Sequence, residues 1–189
     1  MKPHELLDVL RVAEKLKCNT RHCYTSSGRQ ESVAEHSWRI ALMAMLITPE
    51  FPDADMDKVI RMCLIHDLGE AFTGDIPTFD KTDADRVTEE QLLSSWVQTL
   101  PEPICTEWSA LFAEMEERKT LEAKIYKSMD SLEALISHNE SELSTWADHE
   151  YDLNMVYGYD KVAFSDYLTA LRDEIKADTI AKIESKQTP

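Results

Sequence analysis

The densest group of residues able to do chemistry lies between Val59 and Pro77, in the sequence VIRMCLIHDLGEAFTGDIP. It contains His66, Asp67, Glu70 and Asp75. A helical projection puts His66 and Glu70 on one face, with Asp67 on its flank. Burying carboxylates without compensation costs roughly several kcal/mol each, and an adjacent imidazole and carboxylate suit a divalent metal ion. The stretch therefore predicts a metal site, and the alternative is a helix end with solvated acids.

A second histidine lies in an earlier helix. Ser32 and Glu35 have the spacing of a capping box, which predicts a helix from this point to about Ile47. His36 falls in the first turn, on the same face as Ile40, so its imidazole points into the core. Alone it is explained best as a core histidine with one hydrogen bond. Together with the histidine and aspartate above, it becomes a candidate metal ligand.

An aspartate on a third helix is the next candidate. The sequence predicts a helix from Thr120 to about His138, with Asp130 opposite its main apolar stripe and among small residues. Both sides of this helix look packed. Two interpretations follow: Asp130 is a ligand contributed by a distant helix, or it is a half-exposed acid bonded to Tyr126.

Composition sets the fold class that must position these residues. The 189 residues are 43% hydrophobic and include only four glycines and seven prolines, and they lack alternating β-type segments. We expect one all-α domain over residues 1–189, with its core at about 9–184. An apolar stripe from Leu6 to Leu16 predicts a packed first helix. The polar composition of residues 18–30 predicts a loop, which carries Arg21 and His22. We expect residues 148–160 to be irregular, followed by a final amphipathic helix.

Charge and cysteine usage exclude some partners. The formal charge of −16 disfavours binding to a nucleic-acid polymer or an anionic membrane, whereas a small phosphate ester is compatible with a metal and a few basic residues. The four cysteines form no CxxC pair, which is typical of a reducing cytosol. The sequence predicts no targeting or membrane segment, and therefore a cytoplasmic protein.

The order His36, His66-Asp67, Asp130 resembles that of the HD-domain metal-dependent phosphohydrolases. The sequences ESVAEHS, CLIHDLGEAFTGDIP and KSMDSLEAL, at positions 31, 63 and 127, are similar in order and spacing to signatures of the YfbR-like 5'-deoxynucleotidases. The similarity covers most of the chain, from about Val9 to Glu184. It implies an HD-domain helical bundle, a homodimer, and a phosphohydrolase acting on (deoxy)nucleoside 5'-monophosphates.

The resemblance also implies roles for individual residues. It implies one divalent ion, of Co, Mn, Fe, Ni or Zn, held by His36, His66, Asp67 and Asp130. It implies that Glu70 and Asp75 are the catalytic acids. It implies that Arg21 binds the substrate phosphate, and that the next residue packs on the sugar. There the bacterial deoxynucleotidases have tryptophan where this chain has His22, so deoxyribose preference becomes an open question.

The chemistry of these residues suggests a hydrolytic mechanism, although the roles of the two acids and two other functions remain as alternatives. A metal-bound water has its pKa lowered from 15.7 to about 7, Glu70 can take its proton, and Asp75 can orient the water or protonate the leaving oxygen. The two acids could exchange roles. The first alternative is a hydrolase of nucleoside triphosphates or signalling nucleotides, which would need more Lys and Arg near the motifs to bind the additional phosphate charge. A non-catalytic metal-binding interaction module is the second alternative, and loss of a ligand would favour it.

Overall fold

The computed structural model describes residues 1–77 and 80–187, with side chains up to residue 185. The prediction of an all-α fold is confirmed, and a two-stranded sheet is added to it. In chain order the elements are α1 (Pro3–Glu14), β1 (Thr20–Tyr24), β2 (Gln30–Ser32), α2 (Val33–Leu46), α3 (Met56–Ile65), α4 (Glu70–Thr73), α5 (Asp83–Val97), α6 (Ile104–Glu117), α7 (Leu121–Glu140), α8 (Asp148–Val156), α9 (Tyr159–Val162) and α10 (Asp166–Gln187).

Three helices form the centre of the bundle. Helices α2, α3 and α7 pack against one another, and α10 covers another side of α7. Fully buried side chains such as Ile40, Val59 and Leu132 fill the space between the central three. Because the candidate ligands are distributed over these same helices, the apolar core fixes their mutual positions.

The N-terminus of α2 follows the prediction. The side-chain oxygen of Ser32 accepts a hydrogen bond from the backbone N–H of Glu35, whose carboxylate accepts one from the backbone N–H of Ser32. This capping box satisfies backbone donors that would otherwise lack partners in the first turn. It fixes the point where the helix begins, and thereby the position of His36 one turn later.

The prediction of a loop over residues 18–30 was wrong in part. Strands β1 and β2 pair antiparallel, with Thr20 opposite Ser32 and Tyr24 opposite Gln30. Gly28 allows the reversal between them because its φ of 83° lies in the left-handed region that favours glycine. The polar composition concealed the strands, since a short hairpin packed on one side needs few apolar residues.

Residues 148–160 were expected to be irregular, and this was also wrong. They form α8 and α9, separated by a turn at Gly158, whose φ is 87°. Helix α8 has acidic residues in its first turn, including Glu150, whose carboxylate accepts a hydrogen bond from the backbone N–H of Ala147. This stabilises a short helix whose sequence has little apolar periodicity.

Two apolar faces contact less of the chain than predicted. Helix α1 buries none of its residues, and Leu6 and Leu10 of its apolar stripe are about half exposed. The scarcity of charged residues between positions 59 and 68 predicts a helix enclosed by protein, but Arg61 and Leu64 of α3 are exposed. Within the described ranges, none of the helices is long and apolar enough to cross a membrane.

Candidate metal centre and adjoining cavity

The four predicted metal ligands come together between α2, α3 and α7. One ligand atom each from His36, His66 and Asp67 lies within 4.8 Å of the other two. The Oδ1 atom of Asp130 lies 3.2 Å from Nε2 of His36 and 3.8 Å from Nε2 of His66. Residues separated by up to 94 positions in the sequence therefore present two nitrogens and two carboxylates to one point.

The end of α3 orients His66. The helix ends at Ile65, although the helical projection continued it to Glu70, and 3₁₀-type bonds lead through a tight turn into α4. In this turn Nδ1 of His66 lies 2.9 Å from the backbone oxygen of Cys63. This contact places the ring proton on Nδ1 and leaves the lone pair of Nε2 facing the other ligands. Nε2 is buried and lies 2.9 Å from Oδ2 of Asp67, a carboxylate oxygen that has no proton to donate to this lone pair.

Glu133, which the sequence did not identify as a site residue, orients His36. Its carboxylate is fully buried, and Oε2 lies 2.5 Å from Nδ1 of His36. Burial alone would raise the pKa of Glu133, but its contacts with His36 and Arg21 lower it to about 2. Its place three residues after Asp130, on the same side of α7, was the available signal. Glu133 therefore holds the imidazole with Nε2 directed at the other ligands.

Asp130 is held from its own helix. The Nζ atom of Lys127 donates a hydrogen bond of 2.5 Å to Oδ2, which leaves Oδ1 near the histidines. Burial would raise the pKa of Asp130, but Lys127 and His36 lower it well below its usual range. The alternative of an acid bonded to Tyr126 is not what the structure has, because the partners of Asp130 are Lys127 and the two histidines.

This donor set fits a divalent metal ion. Burial would lower the pKa of His36, yet its contacts with Asp130 and Glu133 raise it to about 9, so the surroundings demand a positive charge. A cation satisfies that demand, and it also suits the buried Nε2 lone pair of His66, which faces the carboxylates of Asp67 and Asp130. Two imidazoles and two carboxylates suit Mn, Fe, Co, Ni or Zn better than they suit Mg or Ca, which typically bind oxygen ligands only.

Glu70 and Asp75 lie beside this cluster as a pair. Glu70 begins α4 and is 5% exposed, whereas Asp75 follows Gly74 in the next turn and is partly buried. Burial, and then the charges of Asp67 and Asp75, raise the pKa of Glu70 to about 11 in the absence of a cation. The two acids are thus placed to hold and exchange a proton next to the candidate ligands.

The side chain of Arg21 is only 12% exposed, so Arg21 is not the solvated loop residue that its sequence context alone would favour. It lies on β1, and its NH1 atom donates to the carboxylates of Glu31 at 2.7 Å and Glu133 at 3.1 Å. Glu133 therefore links Arg21 to His36, and the guanidinium group of Arg21 belongs to the same hydrogen-bond network as the candidate ligands. A buried guanidinium beside them can bind an anionic oxygen.

A cavity of about 230 Å³ adjoins this network. Arg21, His22 and Asp75 line it together with residues of α7 and α8. The Nε2 atom of His22 lies 3.1 Å from Oε1 of Glu150, and its side chain is 36% exposed. The structure thus brings all eight residues singled out in the sequence to one region, six around the metal centre and Arg21 with His22 at the cavity beside it.

Comparisons with known proteins agree with the motif order. A family model of the HD domain matches residues 13–172. The human protein "5'-deoxynucleotidase HDDC2" is 33% identical over 141 residues, which cover 72% of this chain and 68% of that protein. The Saccharomyces cerevisiae protein "5'-deoxynucleotidase YGK1" is 29% identical over 193 residues, which cover 98% of this chain and 85% of the relative.

A solved structure also resembles the whole fold. The crystal structure of a "predicted metal-dependent phosphohydrolase" from Magnetospirillum magnetotacticum superposes with a TM-score of 0.76 and 29% sequence identity, and the alignment covers 95% of each chain.

Proposed function

The chain belongs to the HD-domain family of metal-dependent phosphohydrolases, and from this premise we propose that it hydrolyses (deoxy)nucleoside 5'-monophosphates to nucleoside and inorganic phosphate. The observation that carries the proposal is the convergence of His36, His66, Asp67 and Asp130 beside the Glu70–Asp75 pair and a buried arginine. The named 5'-deoxynucleotidase relatives support the choice of substrate. Every residue of the proposed set is present, so nothing favours a non-catalytic module.

The proposed cofactor is one divalent ion held by His36, His66, Asp67 and Asp130. When bound, the ion would act as a Lewis acid and would make a water molecule more acidic. Glu133 and the Cys63 carbonyl direct the two imidazoles toward it, and Lys127 directs Asp130. Such orienting contacts typically change metal affinity or activity by about 10- to 100-fold.

The remaining residues move a proton and hold the phosphate. We assign to Glu70 the removal of a proton from the attacking water, and to Asp75 its orientation or the protonation of the leaving 5'-oxygen. Arg21 offers its planar fork to the phosphate oxygens, and its charge opposes the acidic surroundings. Glu31 and Glu133 hold the guanidinium in place, so little side-chain entropy is lost when phosphate binds.

The number of cationic groups sets the expected substrate range. One arginine and one metal match one terminal phosphate, so we expect hydrolysis of nucleoside 5'-monophosphates and little action on 3'-monophosphates or triphosphates. Release of inorganic phosphate from a nucleotide panel, with each candidate metal in turn, measures this. A protein that hydrolyses triphosphates as efficiently as monophosphates would contradict the proposal and favour the alternative hydrolase class.

His22 provides a test of sugar choice. A large indole packed on C2' would repel a hydroxyl group, whereas an imidazole can hydrogen-bond to it. We therefore expect wild-type protein to discriminate between AMP and dAMP less than a His22→Trp variant does, as measured by kcat/KM for each substrate. If wild-type protein already excludes AMP as strongly as that variant, His22 does not set sugar choice.

We further propose that the chain is a single domain that acts as a homodimer in the cytoplasm. The exposed apolar side chains Leu6, Leu7 and Leu10 of α1, and Trp38, Met45 and Leu46 of α2, support a dimer, because they leave apolar surface that a second copy would bury. The four cysteines are free thiols, which suits a reducing compartment.

A further inference from the structure

The cavity beside Arg21 contains polar groups that the proposed hydrolysis does not use. Arg21 and Asp75 belong to the candidate active site, so the cavity begins where the phosphate would be. His22, His138, Glu150 and Asn154 line it as well. His22 lies on β1 and already has a proposed role in sugar choice, whereas His138 of α7 and Glu150 and Asn154 of α8 have no role in the proposed hydrolysis. Their chemistry therefore needs another explanation.

Glu150 is the centre of this group. Its side chain is 1% exposed, and Oε2 accepts a hydrogen bond of 2.6 Å from the backbone N–H of Ala147. The other oxygen, Oε1, lies 3.1 Å from Nε2 of His22 and 3.4 Å from Nε2 of His138. Despite these contacts, Oε1 makes no hydrogen bond within residues 1–77 and 80–187. A buried carboxylate oxygen in this condition is costly unless a donor reaches it.

Two further buried atoms lack partners at the same cavity. Asn154 is 2% exposed, and its Nδ2 donor has no hydrogen-bond partner in the described part of the chain, and neither has Nδ1 of His138. The wall therefore carries an unmet acceptor, an unmet donor and an imidazole able to act as either. A hydroxyl group both donates and accepts a hydrogen bond, so a ligand with hydroxyl groups would match this wall.

We propose that Glu150 accepts hydrogen bonds from the sugar hydroxyl groups of the substrate, with His22, His138 and Asn154 completing the contact. This inference rests on the proposed function, because a phosphate at Arg21 places the sugar next along the ligand, and His22 follows Arg21 on β1. A carboxylate that binds ribose hydroxyls is established chemistry in dinucleotide-binding folds. Glu150 is then a specificity-determining residue.

The test measures nucleoside binding, which does not depend on catalysis. Metal-loaded protein is titrated by calorimetry with adenosine and with 2',3'-dideoxyadenosine, which lacks both hydroxyl groups. Wild-type protein should bind adenosine about 10- to 100-fold more tightly, the effect of hydrogen bonds to a charged group. In Glu150→Gln one oxygen can still accept from the Ala147 N–H while an amide donor replaces Oε1. This variant should lose the preference and bind dideoxyadenosine as wild-type protein does.

Two other variants separate a binding role from a structural one. Asp148→Asn removes the same charge from the first turn of α8, but at an exposed position, and it should leave the preference unchanged. Asn154→Leu removes a donor whose side chain supports no other described contact, and it should weaken adenosine binding alone by about 3- to 10-fold. It keeps the inference testable if Glu150→Gln fails to fold.

Two outcomes would overturn the inference: equal affinity of wild-type protein for the two nucleosides, or an equal loss of affinity for both in Glu150→Gln and Asn154→Leu. The same protein is assayed for phosphate release from AMP, dAMP and 2',3'-dideoxy-AMP. Absence of phosphate release from all three, with an intact binding preference, would contradict the proposed function and leave the sugar contact supported.

Discussion

Replacing His66 or Asp67 with alanine should abolish stoichiometric binding of a divalent metal ion and reduce phosphate release by more than about 100-fold. The basis is the convergence of two imidazoles and two carboxylates, in which Nε2 of His66 lies 2.9 Å from Oδ2 of Asp67. Even residues that only orient metal ligands contribute about 10- to 100-fold, so loss of a direct ligand should exceed that. Elemental analysis of the purified variants measures the metal content.

Thermal unfolding provides a second measurement that does not require activity. A metal present at about 100 times its Kd stabilises the fold by about 2.7 kcal/mol, which corresponds to about 5–10 °C for a chain of this size. Wild-type protein should gain this increase in Tm on addition of metal and lose it with a chelator, and the His66 and Asp67 variants should not respond. His4→Ala, at an exposed position of α1, is the control. Full metal content in the variants would show that the ligand assignment is wrong.

Glu70→Gln should retain the metal and lose about 10²- to 10⁴-fold in kcat, the usual contribution of a general acid or base. Glutamine has the same shape but cannot accept the proton. Burial, with Asp67 and Asp75 nearby, raises the pKa of Glu70, and only its ionised form can act as a base. The wild-type rate should therefore increase with pH until Glu70 ionises, and a bound cation shifts this limb to lower pH.

Comparison with Asp75→Asn separates the two acids. Loss of the rising limb in the pH profile identifies the base, whereas loss of the falling limb identifies the acid. Glu90→Gln makes the same chemical change at an exposed position of α5 and should have no effect on either limb. Near wild-type turnover of Glu70→Gln, with full metal content, would remove Glu70 from the proposed chemistry.

The sequence identified what depends on local order. The capping box at Ser32 and Glu35 predicted where α2 begins, because each of its hydrogen bonds spans only three residues. Apolar periodicity predicted α7 and the placement of Asp130 on its second face. The imidazoles and carboxylates predicted a metal site, since they are an uncommon set to bury without a cation, and the resemblance of their order to the HD-domain family implied a phosphohydrolase.

Sequence reasoning missed features that depend on contacts between distant residues. The family resemblance implied that Arg21 binds phosphate, but nothing in its polar sequence context indicated that it donates to Glu133, which is 112 positions away. Glu133 looked like an ordinary helical acid, and its contact with His36 spans 97 positions. No local pattern encodes such a pair, because the energy that places it comes from packing of α2, β1 and α7.

There is a physical reason why some features could be predicted from the sequence and others only from the tertiary structure. The chain's own sequence determined the helical class and the positions of the candidate ligands along it, because hydrophobic periodicity, capping and charge burial act within a few residues or through composition. Only the tertiary structure determined that Arg21 of β1 lies beside the candidate ligands and that Glu150 of α8 lines the cavity. Both segments are short and polar, so their positions are fixed by what they pack against and not by their own propensity.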